Sequence, residues 1–132
     1  MDSLTFYFDR TFGKRLPRAL NSLKPPGDIR WHQGERFPQN MPDDEWMNVV
    51  GPKRWVVISQ DRKFHLFEAE KKAIIQHAIK CFYFPCASED RWISLCGFTK
   101  HHLKVIQIAK SMSGPFIYEL KGNGRFYKVR LS

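Results

Sequence analysis

The sequence predicts an α/β sandwich with a mostly parallel sheet and a β-hairpin at the end of the chain. Short β-rich runs alternate with segments of helical spacing, and the last two runs flank small turn residues. The length of 132 residues suits one domain, since domains cluster at about 100 to 150 residues. We therefore expect a single domain over residues 1–132.

The first half of the chain contains three predicted strands. Four consecutive apolar residues at 55–58 favour a strand that is buried on both faces. Pro and acidic residues mark a helix start, and Gly51-Pro52 ends that helix. In chain order we predict a strand at Leu4–Phe8, a helix from Gly13 to Leu23, a strand at Ile29–Trp31, a helix of about eight residues beginning within Met41–Trp46, and a strand at Arg54–Ser59.

The second half continues the alternation and ends in the hairpin. Gly97 interrupts a long helical pattern, so two helices or one kinked helix would fit, with Thr99 as a candidate cap. Gly122-Asn123-Gly124 supplies the hairpin turn. We predict a helix within 67–78, a strand at Cys81–Phe84, helical segments from Ser88 to Ala109, and strands at Pro115–Leu120 and Arg125–Arg130.

The charge of the chain favours an anionic partner. There are 22 Lys and Arg residues against 13 Asp and Glu, which gives a net charge of +9. Such a field attracts nucleic acid or an acidic protein. The basic residues are spread along the chain without a run, which excludes a disordered basic tail and places the charge on a folded surface.

Several classes of protein are unsupported by the sequence. Three cysteines without paired short spacing indicate neither a disulfide framework nor a zinc ribbon, so we expect reduced and mostly buried thiols. The five histidines lack zinc-peptidase spacing and are interpreted as surface or capping residues. P-loop, dinucleotide and nucleophile-elbow motifs are missing. Without a signal peptide or membrane span in the sequence, we expect a soluble, cytoplasmic protein.

Acidic residues follow two of the predicted strands. Asp9 comes after the first strand and Asp61 after the strand at 54–59, while Asp43-Asp44-Glu45 lies at a helix start. Sites in open parallel sheets form at the carboxyl ends of the strands. Clustered carboxylates repel one another and favour a hard divalent cation such as Mg²⁺ or Mn²⁺. Singly, each acid also has a structural explanation as a helix cap or turn residue.

These residues carry a family resemblance. The segments 6–10, 42–46 and 55–64 together resemble the PIN-like ribonuclease domains, most closely the compact branch grouped with VapC-type toxins of toxin–antitoxin systems. The resemblance continues through 70–73, 82–84 and 114–118, so that it covers nearly the whole chain. It implies a three-layer α/β/α fold and a metal-dependent endoribonuclease in which water attacks phosphorus in line, leaving a 5′-phosphate and a 3′-hydroxyl.

The resemblance also implies site residues. Asp9, Asp43 and Asp61 match the family's acids and are expected to hold Mg²⁺ or Mn²⁺, while Ser59 is expected to orient a carboxylate or water. Glu70 matches a recurrent glutamate, for which we expect a supporting role. Two features depart from the family: a fourth acid near Asp61 is not evident, and Arg10 follows the first aspartate where a polar or acidic residue is common.

Basic and aromatic residues supply candidate RNA contacts. We predict that phosphate is bound by Arg10, Lys14, Arg62 and Lys63. Trp31 and Phe37 are candidates for base stacking. Trp46 is expected to pack its helix on the sheet.

Three functions follow from these patterns. The first is an endoribonuclease toxin with a cognate antitoxin, whose basic residue could bind the carboxylates in the metal's place. The second is a catalytically degenerate module that binds RNA or a protein partner, and the third is a structure-specific DNA nuclease. The terminal hairpin is a candidate edge for a partner or for a second copy of the chain, because it carries Lys121, Arg125, Lys128 and Arg130.

Overall fold

A six-stranded sheet forms the centre of the molecule in the computed structural model, which describes residues 4–84 and 91–131. The strands lie in the order β2-β1-β3-β4-β5-β6. All neighbouring pairs are parallel except β5 and β6, which form the antiparallel hairpin. The strands are β1 (Thr5–Phe8), β2 (Asp28–Trp31), β3 (Val56–Ser59), β4 (Lys80–Tyr83), β5 (Phe116–Leu120) and β6 (Phe126–Val129).

Helices cover both faces of this sheet. They are α1 (Arg15–Ser22), α2 (Asp43–Val50), α3 (Glu68–Gln76) and α4 (Arg91–Ser111), with short 3₁₀ turns at Arg10–Phe12 and Phe64–Leu66. Helices α1 and α4 pack on one face, and α2 and α3 pack on the other. The predicted α/β/α sandwich with a mostly parallel sheet and a terminal hairpin is therefore confirmed.

The alternation of side chains along each strand builds two cores. In β1, Phe6 and Phe8 face α1 and α4, whereas Tyr7 between them faces α2 and α3. All four residues of β3 are buried, as its apolar run predicts for a central strand. Trp46 is fully buried against Tyr7, with their ring centroids 4.9 Å apart, so it does pack α2 onto the sheet.

Helix α4 is one helix and not the two separate helices that the sequence also allowed. It runs unbroken from Arg91 to Ser111 through Gly97. Thr99 is not a cap, because its hydroxyl lies inside the helix and donates to the Cys96 carbonyl oxygen at 3.1 Å. Buried Phe98 and Val105 hold this part of the helix against the sheet, so tertiary packing outweighs the low helix propensity of glycine.

Some burial predictions were wrong. Cys81 is buried as expected, but Cys96 is exposed, and Cys86 lies outside the described residues. His32 is completely buried rather than on the surface, because hydrogen bonds satisfy both of its ring nitrogens. Trp31 and Phe37 are half-buried, and Phe37 packs on Tyr7 and His32. No helix among the described residues is long and apolar enough to cross a membrane.

The turns at the amino ends of the strands pack closely against each other. A Cβ atom on Gly114 would lie 2.1 Å from the Ala78 carbonyl oxygen. Only glycine therefore allows the chain before β5 to approach the turn before β4 this closely.

Candidate active site

Asp9 lies at the carboxyl end of β1 and is almost completely buried, with 1% of its surface exposed. Its Oδ1 accepts hydrogen bonds from the Thr11 amide, at 3.0 Å, and from the Thr11 hydroxyl. Its Oδ2 accepts a hydrogen bond from Ser59 Oγ at 2.5 Å. Asp9 thus caps the 3₁₀ turn at Arg10–Phe12 and also contacts the neighbouring strand β3.

Ser59 connects Asp9 to Asp61. Its Oγ donates to Asp9 and accepts from the Asp61 amide at 2.9 Å. The next amide, that of Gln60, donates to Thr11 Oγ1 at 3.0 Å. These bonds join the loop after β3 to the loop after β1, so the two acids are held at one edge of the sheet as the parallel strand order predicts.

Asp43 enters the same neighbourhood from the first turn of α2. Its Oδ1 accepts from Trp46 Nε1 at 2.8 Å and from Arg10 Nη2 at 2.7 Å. Arg10 also donates from Nη1 to the Gln39 carbonyl oxygen at 2.7 Å. The Arg10–Asp43 ion pair is mostly shielded from solvent, since the two side chains are 21% and 18% exposed.

The acids influence one another's protonation. Burial raises the pKa of Asp9 from 3.8 to about 7, and the charge of Asp43 adds to this while the hydrogen bonds from Ser59 and Thr11 oppose it. Burial and then Asp43 also raise the pKa of Asp61. The pKa of Glu70 is raised by burial and by the charges of Asp43, Asp44 and Asp61. This edge of the sheet is therefore an acidic region in which the carboxylates repel one another.

Glu70 bears on the question of a fourth acid. The sequence predicts Glu70 at the start of the helix that follows Asp61. In the structure it lies in the first turn of α3, where the charges of Asp43, Asp44 and Asp61 act on it. The charges of the site acids therefore act on Glu70, and its supporting role stays a prediction. Glu89 and Asp90 lie outside the described residues.

The four predicted phosphate-binding residues have different surroundings. Lys14 and Lys63 are exposed. Arg10 is paired with Asp43, and Arg62 is paired with Glu119, with 2.7 Å between Arg62 Nε and Glu119 Oε2. Of these four residues, the two arginines are in ion pairs, and the two lysines form none with a described acidic residue.

Sequence reasoning missed the supporting residues Thr11, Glu119 and His32. Thr11, two residues after an aspartate at a strand end, has the spacing of a local side-chain cap, and this signal was available in the sequence. Glu119 was not recognisable, because its contact with Arg62 joins β5 to the loop after β3. His32 was not recognisable either, because its partner Tyr7 is 25 residues away in the chain.

The Tyr7–His32 contact supports the loop that carries Gln39. The Pro38 carbonyl can only accept, so His32 Nε2 donates to it at 2.9 Å and His32 Nδ1 accepts from the Tyr7 hydroxyl at 2.9 Å. Burial lowers the pKa of His32, which keeps the ring neutral as this pattern requires. The fixed loop in turn positions the Gln39 carbonyl that binds Arg10.

The chain matches the family model described as a PIN-like domain over residues 4–86. The chain belongs to the PIN-like domain family. The match includes β1 to β4 and all of Asp9, Asp43, Ser59 and Asp61, whereas α4 and the hairpin lie beyond it. The PIN-like fold is a nuclease-type fold, and PIN-like domains are generally hydrolases of this kind. Comparisons with curated proteins and with solved structures give no significant match.

The acidic edge of this PIN-like domain offers the oxygen ligands that a hard cation prefers, but these ligands are not close enough together to form a complete metal site. No three His, Cys, Asp or Glu side chains in residues 4–84 and 91–131 are grouped closely enough to hold a metal ion as they stand. The carboxylate oxygens suit Mg²⁺ or Mn²⁺, and their mutual repulsion would be relieved by a cation.

Proposed function

We propose that this PIN-like domain is a Mg²⁺- or Mn²⁺-dependent endoribonuclease of the compact VapC-type branch, the toxin of a toxin–antitoxin pair. The observation that carries the proposal is the bonded arrangement of Asp9, Ser59 and Asp61 at the carboxyl edge of a PIN-like sheet. The net charge of +9 supports a nucleic-acid substrate.

Asp9, Asp43 and Asp61 would hold the metal ion in this proposal. When bound, Mg²⁺ or Mn²⁺ would supply positive charge to the scissile phosphate and an activated water. Ser59 positions both acids. Its Oγ donates a hydrogen bond to the Asp9 carboxylate and accepts one from the backbone amide of Asp61. Lys14 and Lys63 are exposed and would bind phosphates of the RNA on either side.

Arg10 acts as a counter-charge to Asp43 in this scheme. Its guanidinium places a positive charge beside Asp43 at 2.7 Å, where it relieves part of the repulsion among the acids. A cation that binds Asp43 competes with this ion pair. Once released from Asp43, Arg10 would be able to contact a phosphate oxygen, which is the role that its sequence position predicts.

An antitoxin is the proposed protein partner. The acidic edge would accept a basic side chain of the antitoxin in place of the metal. Strand β6 is an edge strand that carries exposed Lys128 and is flanked by exposed Arg125 and Arg130, so it offers a surface for a partner or a second copy. If substitution of the antitoxin's basic residues leaves inhibition unchanged, the proposed mode of inhibition is wrong.

The catalytic proposal is tested by RNA cleavage. The parent, Asp9→Asn, Asp61→Asn and Asp28→Asn would be incubated with single-stranded RNA and Mg²⁺ or Mn²⁺, with matched DNA and with EDTA as controls. Asp28 is a matched control, because it is an exposed aspartate at the amino end of β2. We expect Asp9→Asn and Asp61→Asn to lose at least about 100-fold in rate and Asp28→Asn to cleave like the parent.

Equal cleavage by all four proteins would remove the site assignment, and faster cleavage of DNA would make the protein a DNA nuclease. The toxin role is tested separately by expression in bacterial cells. Growth arrest by the parent and normal growth with Asp61→Asn are expected, whereas equal growth would contradict a toxin.

A second candidate is a catalytically degenerate PIN-like module that binds RNA or a partner. The Arg10–Asp43 pair favours it, because an internal cation already occupies one of the three carboxylates. This function predicts salt-sensitive RNA binding with equal affinity in Mg²⁺ and in EDTA, and no cleavage product.

A further inference from the structure

A concave region lies at the amino ends of the strands, opposite the acidic edge. It is a cavity of about 640 Å³ whose lining includes Leu4, Val56, Lys80 and Gly114, which lie at or just before the starts of β1, β3, β4 and β5. The strands between the two edges have four or five residues each. At ~3.3 Å per residue this separates the cavity from the acids by roughly 13 Å.

The cavity has cationic and aromatic walls. Arg54 and Lys80 line it, and none of its lining residues, all of which the structure describes, is Asp or Glu. Trp55 forms part of the wall, and Lys53 Nζ lies 4.9 Å from the centroid of its ring. Asp28, a described acid at this edge of the sheet, binds Arg30 and does not line the cavity.

The backbone around the cavity adopts uncommon conformations at two places. Arg54 and Ala78, which both line it, have φ angles of 62° and 52°. Residues with a Cβ atom seldom adopt such left-handed angles, and at Ala78 the angle follows the end of α3, whose C-cap is His77. Both residues lie in turns that enter neighbouring parallel strands, β3 and β4.

The basic residues of the cavity could serve only to neutralise the partial negative charges of nearby helix C-termini. A comparison of the two sets of charges shows that they exceed this need. Helices α2, α3 and α4 end at this edge, and Lys80 Nζ donates to the Ala109 carbonyl oxygen at 2.5 Å. Each helix end is equivalent to about half a negative charge, so three contribute roughly −1.5. Arg54 and Lys80 in the lining carry two positive charges, so the cavity keeps a small positive excess.

We propose that this cavity binds a phosphorylated nucleoside of mononucleotide size. Arg54 and Lys80 supply donors for phosphate, and Leu4, Pro52 and Trp55 supply apolar surface for the base or sugar. The volume lies within the range of small-ligand sites, ~300 to 1,000 Å³, whereas a bare phosphate would leave most of it empty. The site uses none of the residues of the proposed ribonuclease centre.

Calorimetric titration of the full chain in EDTA tests the site, with ADP, pyrophosphate and adenosine as probes. EDTA keeps metal from bridging a phosphate to the acidic edge. ADP is expected to bind more tightly than pyrophosphate, and pyrophosphate more tightly than adenosine. Binding of pyrophosphate as tight as that of ADP, or no binding of ADP, would overturn the proposal.

Two matched variants locate the binding. Arg54→Asn removes one charge and keeps a residue that tolerates a left-handed backbone, while Arg36→Asn makes the same change at an exposed arginine with a φ of 61°. We expect Arg54→Asn to weaken ADP binding about tenfold, as for loss of a charge-assisted hydrogen bond, and Arg36→Asn to match the parent. Equal ADP affinities of the two variants would contradict the site. So would an NMR titration with ADP in which amide signals shift at residues 59–63 instead of at 51–55 and 76–80.

Discussion

The two edges of the sheet carry opposite chemistry. At the carboxyl edge, Asp9 is buried and bonded through Ser59 to the backbone of Asp61. Burial, and then the charge of Asp43, raises the pKa values of Asp9 and Asp61. At the amino edge, Arg54 and Lys80 line a cavity with no acidic residue in its lining. The net charge of +9 therefore does not describe the local charge at either edge. In a parallel sheet, residues that precede the strands lie at one edge and residues that follow them lie at the other.

The edges also differ in how their loops are held. Side-chain hydroxyls of Ser59 and Thr11 join the loops at the carboxyl edge. Close packing joins the turns at the amino edge, as at Gly114 against Ala78. Substitution of a single hydroxyl should thus disturb the first edge and not the second.

The largest expected effect concerns the pH dependence of stability. The pKa of Asp9 rises from 3.8 to about 7 on folding, so between these values the folded chain holds a proton that the unfolded chain has lost. Stability should fall as pH rises through this window, by up to ~1.4 kcal/mol per pH unit, and stay level above it. Asp9→Asn should remove this slope in urea unfolding measured in EDTA from pH 4 to 8.

Parallel pH profiles of the parent and Asp9→Asn would contradict this origin. Asp61 and Glu70 also have raised pKa values, so a residual slope of the same sign is expected in the variant. The difference between the two profiles isolates Asp9.

The second effect separates the hydroxyls of the two edges. Ser59→Ala removes a donor to buried Asp9 and an acceptor for the Asp61 amide, and should lower the free energy of unfolding by about 1 to 3 kcal/mol. Ser22→Ala is the control, because Ser22 is exposed at the end of α1 and bonds only the Ala19 carbonyl oxygen. It should change stability by less than about 0.5 kcal/mol. Equal losses of unfolding free energy in the two variants would show that the hydrogen bonds of Ser59 stabilise the fold no more than that of Ser22.

The smallest of the three effects concerns Arg10. Because Arg10 competes with a cation for Asp43, Arg10→Ala should raise Mn²⁺ affinity, by about tenfold if the competition is worth ~1.4 kcal/mol. Arg30→Ala removes an arginine from another carboxylate pair and should leave Mn²⁺ affinity unchanged. Calorimetric titration with MnCl₂ measures both. Unchanged or weaker binding by Arg10→Ala would mean that the ion pair does not oppose the metal.

The sequence predicted the part of the site that depends on local pattern. A strand that ends at an aspartate is visible in a few residues, so the pattern singled out Asp9 and Asp61 together with the strands that precede them, while Ser59 came from the family resemblance. The fold class followed from the same alternation of strands and helices.

Contacts between distant segments could not be predicted in this way. The pairing of Arg10 with Asp43 spans 33 residues and converts a predicted phosphate contact into a partner of a predicted metal ligand. His32 was predicted to be a surface or capping residue, and its burial depends on Tyr7, which is 25 residues away in the chain. The cavity at the amino edge is formed by turns from four parts of the chain, none of which contains a recognisable motif.

The central claim is that the carboxyl edge, and not the amino edge, is the cation site of this domain. The most direct test is the broadening of amide signals by Mn²⁺ in a nitrogen-15 spectrum. We predict selective broadening at residues 9–11, 43 and 59–62, with 51–55 and 76–80 unaffected at the same Mn²⁺ concentration. Broadening first at 51–55 and 76–80, or none at 9–11 and 59–62 with saturating Mn²⁺, would contradict the account.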